Sequence, residues 1–84
     1  MQEVKLKRRV VRIDLYGEAK VQLRYPRVEE HNEYINEVLK PETNEYDVTK
    51  KFLSDMGMEK ELLKTMELPD MQEIILILTG QKKI

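Results

Sequence analysis

Eighty-four residues make one small domain, and a chain without cysteine has no disulfide framework, no thiolate metal site and no cysteine nucleophile. Fifteen basic against sixteen acidic residues leave a formal net charge of −1, which argues against the globally basic balance of a nucleic-acid-binding domain. With 40% apolar and 37% charged residues, one histidine and no tryptophan, the chain has material for a thin core and a heavily solvated surface, but little for acid–base or histidine–metal chemistry.

No apolar run approaches the ~20 residues that span a bilayer; the longest is Ile74 to Leu78, between Glu73 and Thr79. The opening Met1-Gln-Glu-Val-Lys-Leu-Lys lacks the apolar stretch of a secretory signal. The expectation is a single soluble intracellular domain over residues 1–84, away from membranes.

Residues 4–25 read as a two-stranded antiparallel hairpin. Val11, Ile13 and Leu15 alternate with Arg12 and Asp14, and Ala19, Val21, Leu23 and Tyr25 alternate with Lys20, Gln22 and Arg24. Such period-2 alternation marks a sheet with one buried and one wet face. A two-residue turn at Tyr16-Gly17 would set Ile13 opposite Lys20 and mix the faces. A three-residue loop, Tyr16 to Glu18, pairs Leu15 with Ala19, Ile13 with Val21 and Val11 with Leu23. Because a one-residue slip exposes a whole apolar set, the second register is expected. Gly17 supplies the positive φ that the loop needs. Upstream, Val4 and Leu6 are out of phase with Val11 and Ile13, so either a bulge near Arg8-Arg9 resets the strand or the first residues fray.

Pro26 ends the sheet and suits the start of a helix over 27–40. That helix carries Val28, Tyr34, Ile35, Val38 and Leu39 at helical spacing, with Glu29, Glu30, Glu33 and Glu37 between them. Its acids crowd the N-terminal end, where the dipole favours them, and Lys40-Pro41 stops it. Asp47 reads as the N-cap of a second helix over 47–57, with Val48, Phe52, Leu53 and Met56 on its face and Gly57 closing it. A short helix over 59–67 buries Leu62, Leu63 and Met66. Residues 69–79 fit a helix through Met71, Ile74, Ile75 and Leu78, although periodicity alone also allows a strand, and Leu76 and Ile77 are left over. Gly80 closes this element, and 81–84 form a free tail. A hairpin followed by about four short helices is an α+β arrangement.

The residues offer no catalytic, cofactor-binding or metal-ligating set. His31 reads as a half-buried helix histidine, since a general base needs a partner and a cleft. Glu29, Glu30, Glu33 and Glu37 read as a solvated helix face, and the three glycines stand too far apart for a phosphate-cradling loop. The chain is therefore not expected to be an enzyme.

Two features point instead to partners. The basic run Lys5 to Arg12 reads either as a β-ribbon contacting phosphates through Lys5, Lys7, Arg8, Arg9 and Arg12, with Arg24 beside them, or as an edge strand protected by its charges. Tyr25 is expected to face inward, which leaves no aromatic among these cations for bases to stack on and makes nucleic acid the weaker reading. The same basic strand is suited to docking the acidic helix 27–40 of its own chain or of a neighbour. Methionine both fills core gaps and lines adaptable surfaces, and Met56, Met58, Met66 and Met71 cluster in the C-terminal half. Together with the surplus Leu76 and Ile77, the candidate partner-binding set is Met58, Met66, Met71, Leu76 and Ile77. This surface is suited to a client or to self-association.

The order of these signals resembles a known family. The hairpin ends in Arg24-Tyr25-Pro26; an acidic helix follows; the next helix ends in Phe52-Leu53-Ser-Asp-Met-Gly57; a Glu61-Leu-Leu helix comes after it; and an Ile/Leu-rich helix closes with Thr79-Gly80-Gln-Lys82-Lys83. From about residue 10 onward this layout is similar to the small tail assembly chaperones of long-tailed bacteriophages and prophages. The resemblance implies a protein that binds the tape-measure protein, keeps its apolar helical length soluble and helps recruit the major tail protein around it. It also implies work in the host bacterial cytoplasm and departure before the virion is complete. In this family a longer frameshifted product is common, and Lys82-Lys83 would suit a slippery codon run. The residue-based alternatives are a small nucleic-acid-binding regulator and a non-catalytic homo-oligomerising adaptor.

Overall fold

Alternating apolar and polar residues on either side of Gly17 settle into an antiparallel pair, β1 (Val10–Leu15) and β2 (Ala19–Arg24), in the computed structural model, which describes residues 2–83. Leu15 stands opposite Ala19, Ile13 opposite Val21 and Val11 opposite Leu23, the register that keeps the apolar set on one face. Val11, Leu15 and Leu23 are buried and Ile13, Ala19 and Val21 pack beside them, while Arg12, Asp14, Lys20 and Gln22 meet solvent. At the tip the Glu18 N–H donates to the Leu15 carbonyl at 2.9 Å. Two residues there take left-handed backbone, Tyr16 at φ 58° and Gly17 at φ 73°, so the glycine does not carry the turn alone.

The hairpin begins at residue 10 and not at residue 4. Residues 2–9 belong to no strand, and Val4 and Leu6 are 82% and 90% exposed. The reason lies across the ladder: β2 ends at Arg24, where Tyr25-Pro26 leads into α1, so residues before Val10 face no partner strand.

Four helices follow: α1 (Val28–Val38), α2 (Glu45–Asp55), α3 (Lys60–Thr65) and α4 (Leu68–Leu78). Asn44, not Asp47, caps α2; its Oδ1 accepts the N–H groups of Tyr46 at 2.9 Å and Asp47 at 3.4 Å. Asp47 sits in the first turn instead, where its charge complements the helix dipole. Helix α2 ends in a Schellman motif: Gly57 at φ 120° donates to Ser54 at 3.1 Å and Met58 to Leu53 at 3.0 Å, with the Met58 and Leu53 side chains both buried. Helix α4 ends the same way, with Gly80 donating to Ile77 at 3.2 Å and Gln81 to Leu76 at 2.8 Å. The Lys82 N–H also reaches the Leu76 carbonyl, at 3.1 Å, so the expected free tail is tied down where it starts. Met1 and Ile84 lie outside the described residues.

The core joins the buried face of the hairpin to α2, α3 and α4 through Phe52, Leu53, Met56, Met58, Leu63, Met71, Ile74 and Leu78. The Arg24 N–H donates to the Met56 carbonyl at 3.0 Å, seating the end of α2 on β2. Helix α1 buries no residue fully. Of its expected apolar face, Val28, Ile35 and Leu39 are exposed, and it docks through Tyr34, whose ring stacks on Phe52 with centroids 4.4 Å apart. No helix among the described residues is long and apolar enough to cross a membrane.

Candidate binding surfaces

An apolar groove of about 330 Å³ runs between α2 and α4, lined by Tyr34, Tyr46, Thr49, Met71, Ile75 and Leu76, with Glu45 and Gln72 at its rim. Its floor is ordered by a short relay. The Thr49 hydroxyl donates to the Glu45 carbonyl at 2.9 Å, so the 3.1 Å contact between Tyr34 and Thr49 must have the phenol as donor. Tyr46 and Leu76 remain exposed at its edges and Ile75 is half-buried.

The expected partner-binding residues do not form one surface. Leu76 opens into the groove, but Ile77, about 100° further round α4, lines a separate cleft against β1 with Ile13 and Ile74. Met66 is half-buried. Met58 is a core residue, only 2% exposed, which corrects its assignment to a surface, and Met71, 6% exposed, belongs to the core and reaches the groove only as part of its lining. Met58 is drawn inward by the Schellman turn of α2, and Met71 shares the buried α4 face with Ile74 and Leu78.

A second cleft, about 500 Å³ and basic, lies where the arm preceding β1 meets the junction after β2 and the turn after α4. Lys7, Arg8 and Arg9 line it from the arm, Tyr25 and Pro26 from the junction, and Ile77, Gly80, Lys82 and Lys83 from α4 and its end. Tyr25 packs against the core, the inward placement expected of it, and at the same time borders the cations of this cleft. Lys5 and Arg12 do not line this cleft; Arg12 lies along the hairpin with Asp14, Lys20 and Gln22. Lys82 is paired with Glu73.

Arg24, too, is paired within the chain and does not line this cleft. Its guanidinium grips Glu30 with both nitrogens, at 2.8 and 2.6 Å, and Glu30 Oε1 also accepts the Arg27 N–H at 2.9 Å, capping α1. Arg24 first, and the Arg27 N–H second, hold the Glu30 carboxyl down at about 2. His31 is half-buried as expected, with Nε2 sealed from solvent and without a hydrogen-bond partner among the described residues. Among the described residues no group of three His, Asp or Glu side chains is placed to hold a metal ion.

One residue that sequence reasoning passed over is Tyr16. Its hydroxyl accepts the Glu67 N–H at 3.0 Å and donates to the Asp70 carboxylate, fastening the hairpin tip to the start of α4. A tyrosine immediately before a turn glycine was the available signal.

Fold and surfaces together define a small α+β domain, a hairpin followed by four helices, that carries an apolar groove and a basic cleft among its described residues. No family model, no curated protein and no solved structure matches the chain.

Proposed function

We propose that the chain is a tail assembly chaperone of a long-tailed bacteriophage or prophage, a non-catalytic protein that holds the apolar helical length of tape-measure protein in solution. The major tail protein is its second partner. The work is done in the host cytoplasm, and the protein is left out of the mature virion. The observation that carries this reading is the groove between α2 and α4. There Tyr46, Ile75 and Leu76 present apolar surface in a chain that is otherwise over a third charged. A holdase needs such a combination: apolar side chains that accept a helical client, on a body that stays soluble alone. The hairpin followed by four helices also supports it, being the layout on which the family resemblance rests.

Co-expression with the tape-measure protein tests the proposal, with the soluble fraction of the client as the readout. The wild-type chain should keep the client in the supernatant. Leu76→Asp combined with Tyr46→Asp should return most of it to the pellet while leaving thermal unfolding nearly unchanged, because both side chains are exposed. A folded double variant that still holds the client would place the binding surface elsewhere. A wild-type chain that leaves the client insoluble would end the proposal.

A further inference from the structure

We propose that the basic cleft is a binding site for single-stranded nucleic acid, in which Lys7, Arg8, Arg9 and Lys83 contact phosphates and Tyr25 offers its ring to a base. The site is separate from the apolar groove and does not rest on the chaperone reading.

The charge is local, not global. In a chain of net charge −1, five cations line this cleft and no carboxylate among the described residues does. Lys82 is answered by Glu73, whereas Lys7, Arg8, Arg9 and Lys83 make no ion pair among the described residues. Like charges brought together without counter-charges repel, and a polyanion relieves that repulsion. The cations are also placed by the fold. The arm leads directly into β1, and the Leu76 carbonyl holds the backbone at Gln81 and Lys82, which sets Lys82 and Lys83 across from Arg8 and Arg9.

The cleft's other lining residues select among anions. Tyr25, Pro26 and Ile77 give it an aromatic and apolar wall. A base gains stacking energy from such a wall, whereas an acidic peptide does not, because the face of an aromatic ring is itself negative. Only an unpaired base is free to reach into the cleft; a duplex keeps its bases stacked and presents phosphates on a convex surface.

Fluorescence anisotropy of the full chain with labelled oligothymidylate tests the site, with a duplex of equal length and polyglutamate as competitors. If the four cations hold about four phosphates, affinity should fall about fiftyfold between about 50 and about 200 mM salt. Arg8→Glu with Arg9→Glu, outside the strands and helices, should weaken binding at least about tenfold and flatten that salt dependence. Tyr25→Leu should cost about tenfold with the salt dependence unchanged. No binding at low salt would overturn the proposal, as would duplex or polyglutamate competing equally well. So would full affinity in the Arg8→Glu/Arg9→Glu variant, or in a Tyr25→Leu variant that still melts cooperatively. Should Tyr25→Leu fail to fold, the arginine variant and the salt dependence decide the matter alone.

Discussion

Tyr16 holds its backbone at φ 58°, a left-handed conformation that few residues other than glycine, asparagine and aspartate adopt. Its hydroxyl gives the tyrosine a structural role there. Glu67, the N-cap of α4, makes no capping bond with its own side chain. The Tyr16 phenol, 51 positions earlier, accepts the Glu67 N–H and donates a hydrogen bond to Asp70 in the first turn of the same helix. The bond to Asp70 is also the main reason the phenol titrates above its ordinary 10.0. Tyr16→Phe keeps the ring but loses both bonds, and should lower the melting temperature by a few degrees while leaving the urea m-value unchanged. Glu30 makes a pH-dependent contribution of known sign. Its carboxyl falls from 4.5 to about 2 on folding, so the ionised form favours the folded state. That stability is complete above 4.5 and is lost as the pH falls toward about 2. The stability gap between wild type and Glu30→Gln, measured by urea unfolding, should shrink over that interval. With the paired side chains 43% and 29% exposed, solvent screening keeps the gap to about 1 kcal/mol or less.

At the level of elements, the α2 terminus is where helix and hairpin constrain each other most tightly. Gly57 combines φ 120° with a Cβ position that would stand 3.1 Å from the Gln22 carbonyl oxygen of β2. An alanine there meets both a backbone penalty and a neighbour that is main chain and cannot swing away. Gly57→Ala should therefore destabilise by more than the ~1 kcal/mol typical of a left-handed glycine replaced at an open site. Gly17→Ala is the control, since φ is 73° but nothing lies within 4 Å of its Cβ position. Urea unfolding of the two variants side by side checks the difference. Helix α1 is the contrasting case. It buries no residue fully and is held by the Tyr34–Phe52 stack and the Arg24–Glu30 pair, so its position depends on a few contacts at defined points.

For the whole molecule, a radius of gyration of 14.1 Å exceeds the ~12 Å expected of a compact domain of this length. The arm of residues 2–9 lies outside the sheet and carries exposed Val4 and Leu6. The two proposed activities divide the surface between them. Apolar side chains of α2 and α4 form one groove, and cations from segments distant in the chain form the other cleft. Neither surface asks the body of the domain to change bonds, so both are read out by association alone.

Much of this architecture was legible in the residues. The hairpin register followed from alternation, because only one pairing keeps Val11, Ile13, Leu15, Val21 and Leu23 on a shared face. The four helices followed from spacing and from the stops at Pro41, Gly57 and Gly80. Helix start points were less legible, since Asn44 and Asp47 are equally good caps and only the extended backbone at Asn44 selects it. The surfaces were legible only in part. Leu76 was found from surplus apolarity, but Met58 and Met71 were placed outside when the fold puts them inside, because a flexible unbranched side chain suits a core and a surface equally well. Tyr25 and Lys82–Lys83 meet Arg8 and Arg9 across separations that no local pattern encodes. Periodicity thus determined which residues share a face of each strand or helix. Which faces close on one another was left to tertiary packing, because burial is a property of the assembled layers and not of any single segment.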